Sequence, residues 1–360
     1  MHEQTTREPG VGGTRRKRGI KTVLWSLLVL ALVAVALPFS GYLLTESAQA
    51  QASGEDQNAR ANFWRAVREG SSGYSAVRGA ETGVLIQNGG ENWRALRNGP
   101  MMTYASWLLA GTLGVIALFF LVRGRIKISN GRSGETVPRW SAFERALHWY
   151  TAILFLVLLI TGLSLLFGRL VMIPLIGKDA FAAYAGLAKD LHNYVGPFFS
   201  VGLVLEILMW IRHNLPNGTD VAWFTSGGGM VGDGHPSAGR MNGGEKLWFW
   251  VLVVFGLTAI GSGLVLDFPI FGQTRAQMQW ASLIHLGTTV VLTCFAFGHI
   301  YIGTIGTEGS LEGMTTGRVD AEWARQHHDL WVKELAAKGI YPEPSSPSVP
   351  PGGAVQSHTS

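Results

Sequence analysis

Long apolar runs broken by short charged or glycine-rich stretches set the pattern of this chain. Six runs, at roughly 22–44, 103–122, 146–167, 191–211, 247–266 and 280–302, are long enough to cross a hydrocarbon core of about 30 Å, which takes about 20 helical residues. Between the first two lies a polar stretch, 45–102, punctuated by Trp64, Tyr74, Trp93 and several glycines. With so few aliphatic side chains it can bury little core of its own, so a small lobe leaning on something else is expected. From Tyr341 onward the chain is rich in Pro, Ser and Gly and reads as a disordered tail.

Composition agrees with a membrane setting. Only 15% of the 360 residues are charged, against about 25% in soluble proteins. The single cysteine, Cys294, excludes an internal disulfide framework, a CxxC zinc site, an iron–sulfur cluster and CxxCH haem attachment. Any metal is therefore held by histidine or carboxylate. The formal charge of +5 invites a nucleic-acid reading, but the basic residues follow the membrane topology instead. With the N-terminus inside, the inner segments hold 19 of the 29 Lys and Arg, most clearly in Arg15-Arg16-Lys17-Arg18 and in Arg123, Arg125 and Lys127. No nucleic-acid partner is needed.

The first run has two readings. A basic leader, the apolar stretch Val23 to Leu37 and Ala48-Gln49-Ala50 describe a cleavable signal peptide, while a run that reaches Leu44 also suits a retained anchor. Both put residues 45–102 outside. The expected order is a basic cytoplasmic N-terminus (1–21), signal peptide or first span (22–44), periplasmic lobe (45–102), span (103–122), cytoplasmic linker (123–145), four-span bundle (146–302), cytoplasmic C-terminal segment (303–340) and tail (341–360). The fold class is an all-α membrane protein.

Four of the ten histidines, His148, His192, His285 and His299, fall inside or at the mouths of the last four spans. An imidazole there is costly without a partner. One alone reads best as an interhelical hydrogen-bonding residue; four together invite a ligand set. The topology puts His148 and His299 near the cytoplasmic face and His192 and His285 near the outer face. His285 and His299 are 14 residues apart, which at 100° per residue falls about 40° short of four turns and spans about 21 Å along one face. Two histidines at each of two depths suit two bis-histidine haems stacked across the membrane. Gly162, 14 residues after His148, would leave bare backbone at the outer depth, or simply serve close helix packing. A dinuclear centre would want its ligands and carboxylates at one depth, and a proton path would want more acids than the lone mid-span Glu206.

The run Phe143-Glu144-Arg145-Ala146-Leu147-His148-Trp149, then Arg212-His213-Asn214-Leu215-Pro216, the His285/His299 spacing and Trp323-Ala324-Arg325-Gln326-His327-His328 together resemble the gamma subunit of respiratory formate dehydrogenase, a dihaem cytochrome b. The match runs in order over roughly 140–340. The resemblance implies a four-helix transmembrane cytochrome b bundle in a bacterial inner membrane. It implies two haem b groups, with His192 and His285 as axial ligands of the outer iron and His148 and His299 as ligands of the inner one. It further implies an iron–sulfur beta subunit and a molybdenum- or tungsten-containing catalytic alpha subunit outside, with formate oxidation in the latter. Electrons would leave through the two haems to a quinone near the cytoplasmic face, contacted by Asn242 and Gly244. Asn242 also reads as a plain helix cap. The first 140 residues resemble a longer form of the subunit, with one or two additional spans and the outer lobe. The same chemistry would serve the cytochrome b of a membrane hydrogenase, and a haemless membrane anchor is the alternative from another class. A transporter would call for broken helices at the midplane.

Overall fold

The computed structural model describes residues 59–76, 81–230 and 234–341. The first apolar run (22–44), with its choice between signal peptide and anchor, and the tail beyond Tyr341 lie outside those residues. The described residues begin with α1 (Ala59–Glu69) and a two-stranded antiparallel ribbon of β1 (Ser71–Ser72) and β2 (Val84–Ile86). Five helices long and apolar enough to cross a membrane come next: α2 (Gly89–Arg123), α3 (Ala142–Ile176), α4 (Lys178–His213), α6 (Gly243–Asp267) and α7 (Arg275–Gly306), with the short α5 (Gly218–Thr225) between α4 and α6. In hydrocarbon every backbone group must be satisfied within its own segment, which is why these runs become helices and nothing else. The chain is an all-α membrane protein, and the sequence expectation of its fold class holds.

Helix starts are written locally. Ser141/Glu144, Asn217/Asp220, Asn242/Glu245 and Thr274/Gln277 form reciprocal capping boxes at α3, α5, α6 and α7. Helix ends overshoot the hydropathic spans. The α3–α4 hairpin turns at Gly177, φ +81°, so residues 168–176 carry α3 about 14 Å past the expected end of its span at 167. Hydropathy marks where lipid stops, whereas a helix continues for as long as its hydrogen-bond ladder is supported. On this hairpin Leu170, Leu175 and Leu187 are exposed. The second span likewise begins at Gly89 rather than 103, with a π turn at Arg97–Met101 around Pro100.

In the bundle, α3 packs along α4, α4 along α6, and α6 along α7, while α2 lies against α7. Small residues set the close approaches. A Cβ on Gly202 of α4 would sit 2.7 Å from the Thr151 hydroxyl of α3, and one on Gly256 of α6 would sit 2.7 Å from Leu203 of α4. The first and last helices of this set, α3 and α7, approach each other more loosely, their side chains meeting in an apolar cluster of Leu166, Val290 and, from α2, Leu109, and the gaps between the facing histidine rings are the cleft of this bundle. At the outer end the lobe touches α7 through Gln87–Gln279, 3.4 Å, and the exposed pair Arg275–Glu81, 3.7 Å.

The other end, named the inner end after the sequence expectation from the charge bias, is closed by a small domain. Strand β3 (Thr136–Pro138) pairs antiparallel with β4 (Arg318–Asp320), Val137 facing Val319, and the helices α8 (Ser310–Thr316), α9 (Ala321–His327) and α10 (Asp329–Ala337) pack around them. Val137, Val319, Trp323, Ala324, Trp331 and Leu335 form its core. Arg139 is buried among the rings of Trp140, Trp323 and Trp331, 5.0–5.3 Å from their centres, and is neutralised by Glu245 at 2.7 Å. Burial of that kind is tolerable only with such a partner.

Two neighbouring histidines are expected to make this domain sensitive to acid. His327 is pushed down to about 4 by burial and then by His235 and Arg139, and His328 is held well below the ordinary range, again chiefly by burial. Both are neutral in the fold, so their contribution is intact above the unfolded value near 6.5 and is lost as pH falls towards 4. Melting of the solubilised protein, followed by tryptophan fluorescence, is expected to occur roughly 5 °C or more lower at pH 5 than at pH 7.5. Equal melting temperatures would contradict it.

Candidate functional site

His148 stands in the second turn of α3, His192 in the outer half of α4, and His285 and His299 on α7, so that one pair joins α3 to α7 and the other α4 to α7. The rings meet in two pairs. His148 and His299 have centres 6.3 Å apart at the inner end, and His192 and His285 have centres 6.2 Å apart nearer the outer end. These are the two pairs and two depths expected from the topology. A metal between two imidazoles, with bonds of about 2 Å to ring nitrogens that lie about 1 Å from the ring centres, puts those centres about 6 Å apart. Both pairs have that spacing, so the residues present fit a six-coordinate haem iron at each level. A dinuclear site is a poorer match, since among the described residues no group of three or more His, Cys, Asp or Glu could hold a metal ion.

The outer pair is seated by a repeated hydroxyl–glycine pair. On α3, Thr161 Oγ1 lies 2.8 Å from His192 Nδ1 and gives its own proton to the Val157 carbonyl at 2.8 Å. Next to it, a Cβ on Gly162 would stand 3.4 Å from the His192 ring. On α6, His285 Nδ1 donates to the Ala259 carbonyl at 2.9 Å, with Ser262 Oγ at 3.4 Å, and a Cβ on Gly263 would come within 3.1 Å of the ring. A carbonyl can only accept and the Thr161 proton is already spent. Both Nδ1 atoms therefore carry the hydrogen, leaving both Nε2 lone pairs free for a metal. Gly162 does lie at the outer depth, and the space it leaves is taken by a histidine ring.

The inner pair is held differently. No protein acceptor reaches the buried His148 Nδ1. His299 is stacked on Trp248 of α6, with ring centres 4.8 Å apart and planes 13° apart. Trp149 Nε1 donates to the Met314 carbonyl at 2.9 Å, tying the His148 turn to the inner-end domain. Glu206, 14 residues beyond His192, lies at the inner depth with Oε1 unpartnered and the residue only 6% exposed.

Asn242 and Gly244 sit at the inner end where α6 begins. Asn242 Oδ1 accepts from Glu245 N at 2.9 Å, the capping role, which leaves its Nδ2 hydrogens uncommitted by the cap. Gly244 lets the Trp223 indole approach, since a Cβ there would be 2.9 Å from that ring. From Asn242 to Trp248 the helix climbs about 9 Å and arrives at His299. Thr161, Ser262 and Trp248 were not singled out by the sequence. The signal for the first two was present in Thr161-Gly162 and Ser262-Gly263, whereas nothing local distinguishes Trp248 from other aromatic residues of the spans.

Residues 139–317 match the family model described as prokaryotic cytochrome b561. The chain is 28% identical over 205 residues to the cytochrome b556(fdo) subunit of formate dehydrogenase from Escherichia coli strain K12, covering 56% of this chain and 94% of that protein. It is 26% identical over 206 residues to the nitrate-inducible cytochrome b556(Fdn) subunit of the same organism, covering 56% and 92%. A formate dehydrogenase cytochrome b556 subunit of Haemophilus influenzae is 25% identical over 219 residues, covering 58% and 87%. Residues 139–317 are therefore similar to prokaryotic cytochrome b561, and the chain is homologous to the cytochrome b556 subunits of formate dehydrogenase, with the first 138 residues lying ahead of the segment matched by the family model.

Proposed function

We propose that this chain is the dihaem membrane subunit of a quinone-linked formate dehydrogenase, collecting electrons at its outer end and delivering them to quinone at its inner end. The observation that carries the reading is the pair of imidazole clamps, each about 6 Å between ring centres, at two depths of one cleft. Haem b supplies a one-electron iron couple at each level when bound. The protein's part is to present two facing pairs of imidazoles, one pair at each level. His192 and His285 serve the outer level, and His148 and His299 the inner one.

The donor in this reading is an iron–sulfur subunit attached to a molybdenum- or tungsten-containing catalytic subunit, both at the outer end. The exposed Leu170, Leu175 and Leu187 of the α3–α4 hairpin and the exposed Trp64, Tyr74 and Leu85 of the lobe supply the surface. Aromatic and arginine side chains such as Trp64, Trp93 and Arg97 suit an interface. Deleting residues 46–80, short of the helix that begins at Gly89, is expected to lower recovery of the catalytic subunit severalfold on purification while the haem spectrum stays intact. Unchanged co-purification would remove the lobe from the interface.

The inner end faces the cytoplasm of a bacterial inner membrane in this reading, as the bias of Arg123, Arg125 and Lys127 supports. Quinone is reduced beside the inner pair, where Asn242 Nδ2 can donate to a quinone oxygen and the backbone around Gly244 lies at a helix start with unpaired N–H groups. Protons are taken from the cytoplasm while electrons arrive from outside, so turnover separates charge. Asn242→Asp keeps the cap but removes the amide donor. In the intact complex it should leave both haems reducible by formate and slow quinone reduction about tenfold. A parent rate per haem would reduce Asn242 to a cap.

A further inference from the structure

The two histidine pairs are ligand sets of the same composition in different hydrogen-bonded surroundings. At the outer pair both Nδ1–H groups have acceptors, Thr161 Oγ1 at 2.8 Å together with the Leu158 carbonyl for His192, and the Ala259 carbonyl at 2.9 Å for His285. At the inner pair His148 Nδ1 has none, and His299 meets the face of Trp248. Among the described residues no hydrogen bond reaches the His299 ring. An acceptor on Nδ1–H draws that proton away and makes the opposite nitrogen a stronger donor, which favours the ferric over the ferrous state. A ligand without such an acceptor leaves the reduced state better placed.

We propose that this difference orders the two haems in potential, the outer below the inner, with Thr161 as a positioning residue that acts through His192. The inference rests on the dihaem reading and adds to it a direction. Electrons entering at the outer end then move downhill to the inner pair, and the bias lies in the fold of α3 and α6 rather than in the choice of ligands. The hydroxyl of Thr161 is the adjustable part, since the carbonyls of Leu158 and Ala259 belong to the helices themselves. Thr161→Val preserves the branched shape and removes the hydroxyl acceptor, while Thr161→Ser keeps it. Ser262, at 3.4 Å from His285 Nδ1, is the more distant of the two hydroxyls and is expected to matter less.

The test is a redox titration of the purified complex followed by visible absorbance, after a pyridine haemochrome assay has counted the haems. Fewer than two haems per chain would defeat the dihaem reading itself. With two present, the parent protein should titrate in two steps. Thr161→Val should raise the reduced-to-oxidised ratio of the low-potential haem about tenfold at fixed ambient potential, about 59 mV for a one-electron couple. Thr161→Ser should return it to the parent value, and the high-potential step should stay in place throughout. His192→Ala, which keeps only the inner haem, should retain the high-potential step, so that the assignment does not depend on how well the valine variant folds. Retention of the low-potential step in His192→Ala, or an unmoved low-potential step in a Thr161→Val protein that still holds two haems, would overturn the proposal.

Discussion

Replacing His192 or His285 with alanine is expected to lower the haem content of the folded chain from two to one, with the remaining haem at the inner level; replacing His148 or His299 should leave only the outer one. The expectation comes from the pairing of rings across the cleft, 6.2 Å in one pair and 6.3 Å in the other. A bis-histidine iron that loses one axial nitrogen keeps a single protein bond, and the two sites are separated by about four helical turns, so each should fail alone. Pyridine haemochrome quantitation on protein that elutes as a single species gives the stoichiometry, and low-temperature spectra of the reduced protein tell the two haems apart. Loss of both haems from every single variant would mean that the two levels are not independent. Retention of two haems in any of the four would take that histidine out of the ligand set.

The second large effect needs no change of ligand. Gly263→Leu should empty the outer level although His285 is still present. A Cβ at 263 already comes within 3.1 Å of the His285 ring, and the branched end of leucine has to occupy the space that the imidazole now fills. Displacing the ring breaks its bond to the Ala259 carbonyl and turns Nε2 away from the cleft. Gly162→Leu should act in the same direction on His192 but more weakly, because the approach there is 3.4 Å. Overpacking of this kind typically costs about 1–3 kcal/mol, which a bundle of this size should survive. The readout is one haem lost with the helical far-ultraviolet signal unchanged, and two haems retained in the Gly263 variant would show that the ring has somewhere else to go.

The spacing of the histidines made the depth of the site legible from the sequence. Helical geometry is fixed, so 14 residues mean the same rise and nearly the same face on any span, and the order of the spans says which histidines share an end of the bundle. Both are one-dimensional facts. The ends of the helices were not legible in that way. Lys178 to Leu191 contains two lysines and two aspartates and reads as a connection, yet it is the outer third of α4, held by packing against α3, as where Gly168 makes room for Phe181. The inner-end domain was hidden for a different reason. Its core joins Val137 to Val319 and Arg139 to Trp323 and Trp331, partners almost two hundred residues apart, and short β3 and β4 have no hydropathic signature. The contact of Trp248 with His299 likewise depends on how α6 is rotated against α7, which no local pattern specifies.

The pairing of β3 with β4 also sets an order of events during synthesis. The strand that precedes the four-helix bundle finds its partner only in the strand that comes after it, and Arg139 has two of its three indoles in residues 323 and 331. Until the ribosome has released those residues, the turn that carries His148 lacks the anchor that Trp149 makes with Met314, and the cleft beside it stands open at the inner end. The outer level has no such dependence, because Thr161, Ala259, Gly162 and Gly263 all enter the membrane before His285 does. In the dihaem reading, the outer level is complete as soon as the last helix is inserted, whereas a haem for the inner level has a limited interval for entry, which ends when the C-terminal segment folds back and latches the helices together.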